Sequence, residues 1–404
     1  MIARNEGRLI VVPSEPIEAY ERVGLGGVLE KYYNPTGLFK EVFAVSPLEP
    51  PGSRRAHGMT VIGGTVSRTA QIMRELKPDI VWAYGGFWAS DFACRHRVPG
   101  VPLVVSVHDP HPTMVHRSVA CADLVFCTSE VVERIVQRRG APANRLRRLP
   151  NRIDRSVFKP VRDPARLQSV AKQFPPNRRY ILHVGRKSTE KNIPTLIRAL
   201  TRLPDHYAAV FVGRGNPRSF QRLARKAQVS SRCFWIESVP NDQLPLWYCW
   251  CDCMCTPSLW EGFGRVFIEE AACGAAVITS NIAPMNEYLT HGVNAHLVGD
   301  YRQAEALAAA IRKVTEDDAY RQRISANAVK AMAVFDRATI DALEANLYRE
   351  AMSMEPRELT TLERSRIILD NAGRKLRAAA NIPHKTARRW VRRLIRARTD
   401  PQPG

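Results

Sequence analysis

The feature that most constrains this chain is a series of short apolar runs that do not alternate with polar residues. They are LIVVP from Leu9, EVFAVS from Glu41, DIVWAY from Asp79, PLVVSV from Pro102 and DLVFC from Asp123. A strand that is apolar on both faces must be covered on both faces. Helical patterns, Val66 to Leu76 and Glu130 to Arg139 among them, lie between the runs. Strands that alternate with helices predict an α/β fold with a parallel sheet, whose ligands bind beyond the carboxyl ends of its strands. The alternation resumes from Tyr180 to Val184 and continues through AAVFVG at 208–213, Cys233 to Ile236 and AVITSN after Gly274. A length of 404 residues suits two such domains, each with its own core.

The expected division is an N-terminal domain over 1–160, a linker over 161–178, a C-terminal domain over 179–335, a helix at 336–353 that crosses back, and a tail over 354–404. The linker is read from Pro160, Pro164, Pro175 and Pro176, which stand among charges. The apolar content of 45% is that of a globular protein, and no run approaches membrane-spanning length. The start has only four consecutive apolar residues before Pro13, a strand and not a signal-peptide core, so a cytoplasmic protein is expected. Nine cysteines without paired spacing agree with a reducing compartment. The net charge of +21 calls for an anionic partner: a lipid surface, nucleic acid or a phosphorylated substrate.

Two stretches carry the chemistry. In EGFGRVFIE, Glu261 to Glu269, glycines at 262 and 264 allow a tight turn, and a helix runs on to a stop at Gly274. A helix start aims unpaired N–H groups and a positive dipole end at an anion. Glu261 and Glu269 flank that start, and carboxylates bind sugar hydroxyls well and phosphates badly, so the ligand pattern is that of a nucleotide sugar. In GRKSTEKN, Arg186 and Lys191 follow a strand, Asn192 is placed to cap the next helix, and Pro194 fits its first turn. A bidentate Arg and a mobile Lys suit a leaving group that gains negative charge.

These residues resemble the E-x7-E and GR…K motifs of the retaining glycosyltransferases of family 4, whose fold is called GT-B. The resemblance covers roughly residues 5 to 352. It includes the stretch from DLVFC to FKP, with Asp123, Ser129, Pro150, Asn151, Asp154 and Phe158 in matching order and Arg152 in place of the usual glycine. It implies two Rossmann-like parallel-sheet domains facing an interdomain cleft, followed here by a basic helical tail. It also implies that Glu261 lies near the donor sugar, that Phe263 with Gly264 packs by the diphosphate, that Glu269 holds ribose, and that Gly185, Arg186, Lys191 and Arg265 surround the donor. Glu237 stands where the family usually has glycine, in the loop that holds the base, so uridine, guanosine and adenosine stay open; a UDP- or GDP-sugar is the expected donor. His108 and Asp109, at a strand end in VSVHDPHP, match an HD-like pair that faces the reacting sugar. Gly26 and Gly27, in VGLGGV with Gly24, match a glycine pair close to donor phosphate and acceptor, and Glu287 matches a turn that orients the loop under the donor.

The reaction so implied is transfer of a hexosyl unit to a glycan or lipid-linked hydroxyl with retention, a step in cell-surface polysaccharide synthesis. The catalytic set would be Glu261, His108, Arg186 and Lys191. No cofactor or metal is expected. No D-x-D motif is present, and Cys249, Cys251, Cys253 and Cys255 on one extended segment cannot wrap a zinc ion. The segment HKTARRWVRRLIRAR, at 384–398, has the profile of an interfacial helix on anionic lipid, which would make the protein peripheral at the inner membrane face; no specific nucleic-acid partner is expected. Two alternatives remain open: a sugar-nucleotide epimerase or hydrolase of the same fold, and an inactive protein that binds membrane or nucleic acid through the tail.

Overall fold

The computed structural model describes residues 7–22 and 26–381. Gly24 and the basic segment 384–398 lie outside them. The chain divides into two compact units. The first takes the chain up to Cys127, then Val132–Arg148 and the chain from Glu344; the second takes Thr128–Val131 and Leu149–Leu343.

The first unit is built on an eight-stranded sheet of β1 (Gly7–Val12), β2 (Phe39–Ser46), β3 (Gly52–Ala56), β4 (Met59–Gly63), β5 (Ile80–Tyr84), β6 (Leu103–Val107), β7 (Leu124–Cys127) and β8 (Leu146–Arg148), in the spatial order β3-β4-β2-β1-β5-β6-β7-β8. Leu9, Ile10, Val11 and Val12 are all fully buried, the outcome that an unbroken apolar run requires. Helices α1 (Ile17–Arg22), α2 (Gly26–Tyr33), α3 (Val66–Glu75), α4 (Trp88–Arg95) and α5 (Glu130–Arg138) connect the strands. At the start of α3 the Thr65 hydroxyl accepts from the Arg68 amide, and Thr69, Ala70 and Met73 are buried at helical spacing. Strands β3 and β4 form an antiparallel edge hairpin that the sequence did not announce, since GSRRA is polar and exposed and gives no apolar signal.

The second unit has a six-stranded parallel sheet of β9 (Arg179–Val184), β10 (Tyr207–Val212), β11 (Cys233–Ile236), β12 (Cys253–Thr256), β13 (Val277–Ser280) and β14 (His296–Val298), in the order β11-β10-β9-β12-β13-β14. Its helices are α6 (Pro164–Ala171), α7 (Ile193–Leu200), α8 (Arg218–Lys226), α9 (Leu244–Trp250), α10 (Arg265–Ala272), α11 (Met285–Tyr288), α12 (Ala304–Glu316) and α13 (Asp318–Ala331). Two buried clusters cover the two faces of the sheet, one containing Leu182, Val210 and Met254, the other Ile181, Ala209 and Cys255. Neighbouring strand residues thus point to opposite faces.

Three expectations need correction. The stretch 161–178 is not an irregular linker throughout: Asp163 caps α6 by accepting from the Ala165 and Arg166 amides, and Val170 and Phe174 join the core of the second unit. Asn192 does not cap α7 with its side chain; it adopts a left-handed φ of 52°, and its side chain bonds Thr195 and the Tyr301 carbonyl. Cys94 and Cys121 form a disulfide in the first unit, although their separation of 27 residues matches no motif. Packing decides that pairing: Ser118 bonds Ser90 and Asp91 of α4 at 2.7 Å each, which brings the two segments together.

Helix α14 (Arg337–Ser353) passes from the second unit into the first at Glu344, and α15 (Thr361–Asn381) follows. Within the first unit Arg357 donates its amide to Asp123 at 2.6 Å, and Leu359 is buried. No helix among the described residues is long and apolar enough to cross a membrane.

Candidate functional site

Strand β12 pairs with β9, Cys253 opposite Ile181 and Met254 opposite Leu182, so the loops that leave their carboxyl ends begin side by side. The Leu259 amide donates to the Glu190 carbonyl at 2.7 Å and ties one loop to the other. Across that junction Lys191 Nζ lies 2.6 Å from Glu261 Oε1, with side chains only 10% and 11% exposed. Ser258 Oγ donates to the same oxygen at 2.7 Å. An ion pair this enclosed is strong only when its geometry is good, and removal of one partner strands the other charge. Two residues from different loops are therefore fixed in one place.

Arg186 behaves differently. Its side chain is 78% exposed and reaches Glu190 at 3.1 Å. Glu190 is itself held by Ser188 Oγ at 2.5 Å; burial pushes its carboxyl up, but the Ser188 hydroxyl and the nearby Arg186 and Lys191 outweigh this, so the group sits below the ordinary range. Gly185 ends β9 with its amide on the Val212 carbonyl at 2.9 Å.

The glycine loop leads into α10 as the sequence predicts. Gly264 has φ +81°, and a Cβ there would stand 2.5 Å from a ring carbon of Phe267, so both the conformation and the space require glycine. Helix α10 starts at the next residue, Arg265, and its first-turn amides point out of the helix start, the arrangement that binds anions. Phe263 is buried, stacks on Tyr288 at 5.0 Å and meets Phe335 edge-on. Glu269 is also buried and accepts from Arg265 Nε at 2.7 Å. Burial pushes its carboxyl above the ordinary range, against the pull of Arg265.

Three residues that sequence reasoning missed support this region, together with Ser129, which the resemblance placed in order without a contact. Tyr288 OH donates to the Phe263 carbonyl at 2.6 Å, with the Gly264 carbonyl at 3.3 Å, and so fixes the glycine loop from α11. Ser129, in the short segment Thr128–Val131 of the second unit, donates to the Gly262 carbonyl at 2.6 Å. Lys187 is buried and points its ammonium at the Gly213 and Ile236 carbonyls, the latter at 2.8 Å, which stitches the ends of β10 and β11; burial lowers its pKa. Glu270, beside Glu269, is fully buried with no hydrogen bond to either carboxyl oxygen among the described residues, and burial holds it well above the ordinary carboxylate range. A lysine next to Arg186 and a second glutamate next to Glu269 were the available signals, but neither type of residue announces burial.

The remaining residues of the second unit are placed as follows. Glu237 is exposed at the carboxyl end of β11. Glu287 receives the Glu130 amide at 2.8 Å and the Val131 amide at 3.3 Å, both within this unit; it is the neighbouring Tyr288 that reaches the glycine loop. Cys253 and Cys255 are buried on β12, while Cys249 accepts from the Val161 amide at 3.2 Å.

In the first unit His108 follows β6. Its Nε2 lies 3.1 Å from Ser106 Oγ, which also takes the Trp82 indole N–H at 3.0 Å, and its ring lies 4.5 Å from that of Tyr84. Asp109 is exposed and accepts the His111 amide at 2.7 Å. Gly26 opens α2 against His57, where a Cβ would meet the imidazole at 2.5 Å, whereas Gly27 faces open space. His57 and Arg54 both bond Glu21, at 3.0 Å and 2.8 Å.

Comparison with known proteins agrees with this geometry. The family described as Glycosyl transferases group 1 matches residues 166–331, and Glycosyltransferase Family 4 matches residues 10–157. The chain is 28% identical over 295 residues to D-inositol 3-phosphate glycosyltransferase 2 of Catenulispora acidiphila, a match that covers 62% of this chain and 68% of that protein. It is 25% identical over 339 residues to the serotype-specific mannosyltransferase WbdA of Escherichia coli, covering 74% of this chain but only 40% of WbdA. Among solved structures, HepE of Anabaena in complex with UDP and glucose has a TM-score of 0.69 at 19% identity and covers 85% of this chain and 100% of that one; at that identity the likeness is one of fold.

Proposed function

The chain belongs to the family 4 glycosyltransferases of GT-B fold, and from that premise we propose that it moves a hexosyl unit from a nucleoside-diphosphate sugar to a hydroxyl acceptor, with retention at the anomeric carbon. The observation that carries the proposal is the enclosed Lys191–Glu261 pair at 2.6 Å, beside the start of α10. An ammonium has three protons. One engages Glu261, and the others are available to diphosphate oxygens, as are the first-turn amides of α10. Arg186, exposed on the same loop, adds a bidentate fork. Together they would stabilise charge on the departing diphosphate, which is the term a preorganised cationic site supplies best.

Glu261, oriented by Lys191 and Ser258, would accept from a sugar hydroxyl, and Glu269 would position ribose. We assign His108 of the first unit to the donor sugar, and Gly26, Gly27 and Asp109 to the acceptor side. With no covalent nucleophile assigned, the acceptor oxygen attacks from the face that the diphosphate leaves, so the bond to the acceptor forms as the bond to the diphosphate breaks, and the acceptor hydroxyl gives its proton to the departing diphosphate oxygen. Neutralisation of the diphosphate by Lys191, Arg186 and α10 leads to an expected rate that chelators do not change. A UDP- or GDP-sugar donor is supported by the UDP and glucose bound to the HepE neighbour, and a glycan acceptor in surface-polysaccharide synthesis by the likeness to a serotype-specific mannosyltransferase.

Incubation of the full chain with a panel of nucleotide sugars, with and without glycan acceptors, tests the reading. The expected result is acceptor-dependent diphosphate release, and a product whose anomeric configuration by NMR matches that of the donor. Release at the same rate without acceptor would point to the hydrolase, and an inverted product would refute retention.

A further inference from the structure

We propose that helix α8 of the second unit is a contact surface for the phosphate-bearing face of an anionic bilayer. The inference stands apart from the catalytic reading, because α8 carries none of the residues assigned to it.

From His206 to Ile236 the sequence contains no acidic residue, while it contains Arg214, Arg218, Arg222, Arg225, Lys226 and Arg232. Arg218, Arg222 and Arg225 recur on α8 at steps of four and three residues, which places them on one face. They and Lys226 are exposed, and none of the four forms an ion pair with a carboxylate among the described residues. Arg232 supplies the contrast: it is buried, and its guanidinium donates to the Leu200, Leu203 and Pro204 carbonyls at 2.7 to 3.1 Å. That arginine holds the fold together. The three on α8 hold nothing within it.

The opposite face of α8 fixes the helix in place. Ala224 is fully buried, Leu223 and Phe220 pack against the core, and Phe220 lies parallel to Trp235 at 6.4 Å. The outward face is an open groove of about 540 Å³ lined by Asn216, Arg218, Ser219, Gln221, Arg222 and Arg225. Guanidiniums interleaved with neutral amide and hydroxyl donors match an array of phosphate oxygens. No large apolar side chain lines the groove, so contact would be electrostatic adsorption without insertion. The nearby aromatics pack on each other and on the core, which leaves no platform for stacking bases. A lipid surface therefore fits this face better than a single-stranded nucleic acid.

Each cation held near an anionic leaflet strengthens adsorption about fivefold. Cosedimentation of the full chain with vesicles of equal parts phosphatidylglycerol and phosphatidylcholine tests the proposal, with pure phosphatidylcholine as the neutral control. The expected result is adsorption to the anionic vesicles alone, release by added salt, and no displacement by inorganic phosphate at the same concentration as the lipid. The R218Q/R222Q/R225Q variant should adsorb about a hundredfold more weakly, and the corresponding triple lysine variant should adsorb like the parent. Circular dichroism checks that the variants are folded. Should the glutamine variant unfold, Ser219→Glu, which adds an anion in the first turn of α8, should weaken adsorption by about fivefold or more without harm to the helix. Unchanged adsorption of the glutamine or Ser219→Glu variant overturns the proposal. So does displacement of the parent by inorganic phosphate, or tighter binding to a DNA duplex than to the vesicles.

Discussion

The strand ends of the two units present different chemistry. In the second unit, loops from neighbouring strands bring an ammonium and a carboxylate together with little exposure, beside a helix start. In the first unit the corresponding region is aromatic, with His108 between Ser106 and Tyr84, and with Asp109 open to solvent. Buried opposite charges need each other and respond strongly to the loss of one, whereas a half-buried imidazole on a hydroxyl can be removed at small structural cost. The second unit thus presents an enclosed ion pair at its strand ends, and the first a half-buried imidazole among aromatic rings.

That contrast can be broken or sharpened by measurement. The largest effect is expected from Lys191→Ala, which should lower kcat/KM by about a thousandfold and also lower stability by about 3–5 kcal/mol, because Glu261 is left buried without its partner. Chemical denaturation checks the second number, and a Lys191→Met/Glu261→Gln double variant should recover stability without recovering turnover. His108→Ala should lower kcat by about a hundredfold with an unchanged unfolding midpoint; a large loss of stability would show that the first unit depends on this residue structurally, and would erase the contrast. Arg186→Ala should raise KM for the donor about tenfold and leave stability untouched, as befits a side chain that is 78% exposed.

The smallest effect on turnover is expected at Glu270. Burial holds its carboxyl well above the ordinary range. The folded protein therefore keeps a proton that the unfolded chain gives up, and stability declines as the pH rises above the unfolded carboxyl value of about 4.3, until the folded group ionises. Below about pH 4 both states are protonated and the contribution is constant. Glu270→Gln should accordingly match the parent in acid and exceed it near neutrality by more than about 1 kcal/mol, because glutamine has no proton for the unfolded chain to release. Thermal melts across pH check this; a gap between the two proteins that stays the same at every pH would refute it.

Much of the site was legible because it lies on short contiguous stretches. Gly264, Glu261 and Glu269 share one loop and helix, and Arg186 and Lys191 share another, so local spacing sufficed to group them. What spacing did not reveal was the difference between the two cations. Lys191 is enclosed and Arg186 is not, since the pairing of β9 with β12 places Glu261 within reach of one and not the other. Lys187, Tyr288 and the contact that Ser129 makes were invisible for the same reason: each of these side chains bonds a backbone carbonyl far away in sequence.

The sequence by itself determined most of the strands and helices and the two loops that carry charge, because periodicity, glycine placement and apolar runs are properties of neighbouring residues. The tertiary structure decided which of those charges are buried, which carbonyls receive a lysine or tyrosine, and that Cys94 meets Cys121. Those outcomes follow from strand order, which sets β12 beside β9 with two intervening strands passed over, and from helix packing; burial and pairing are fixed only when such distant segments come into contact.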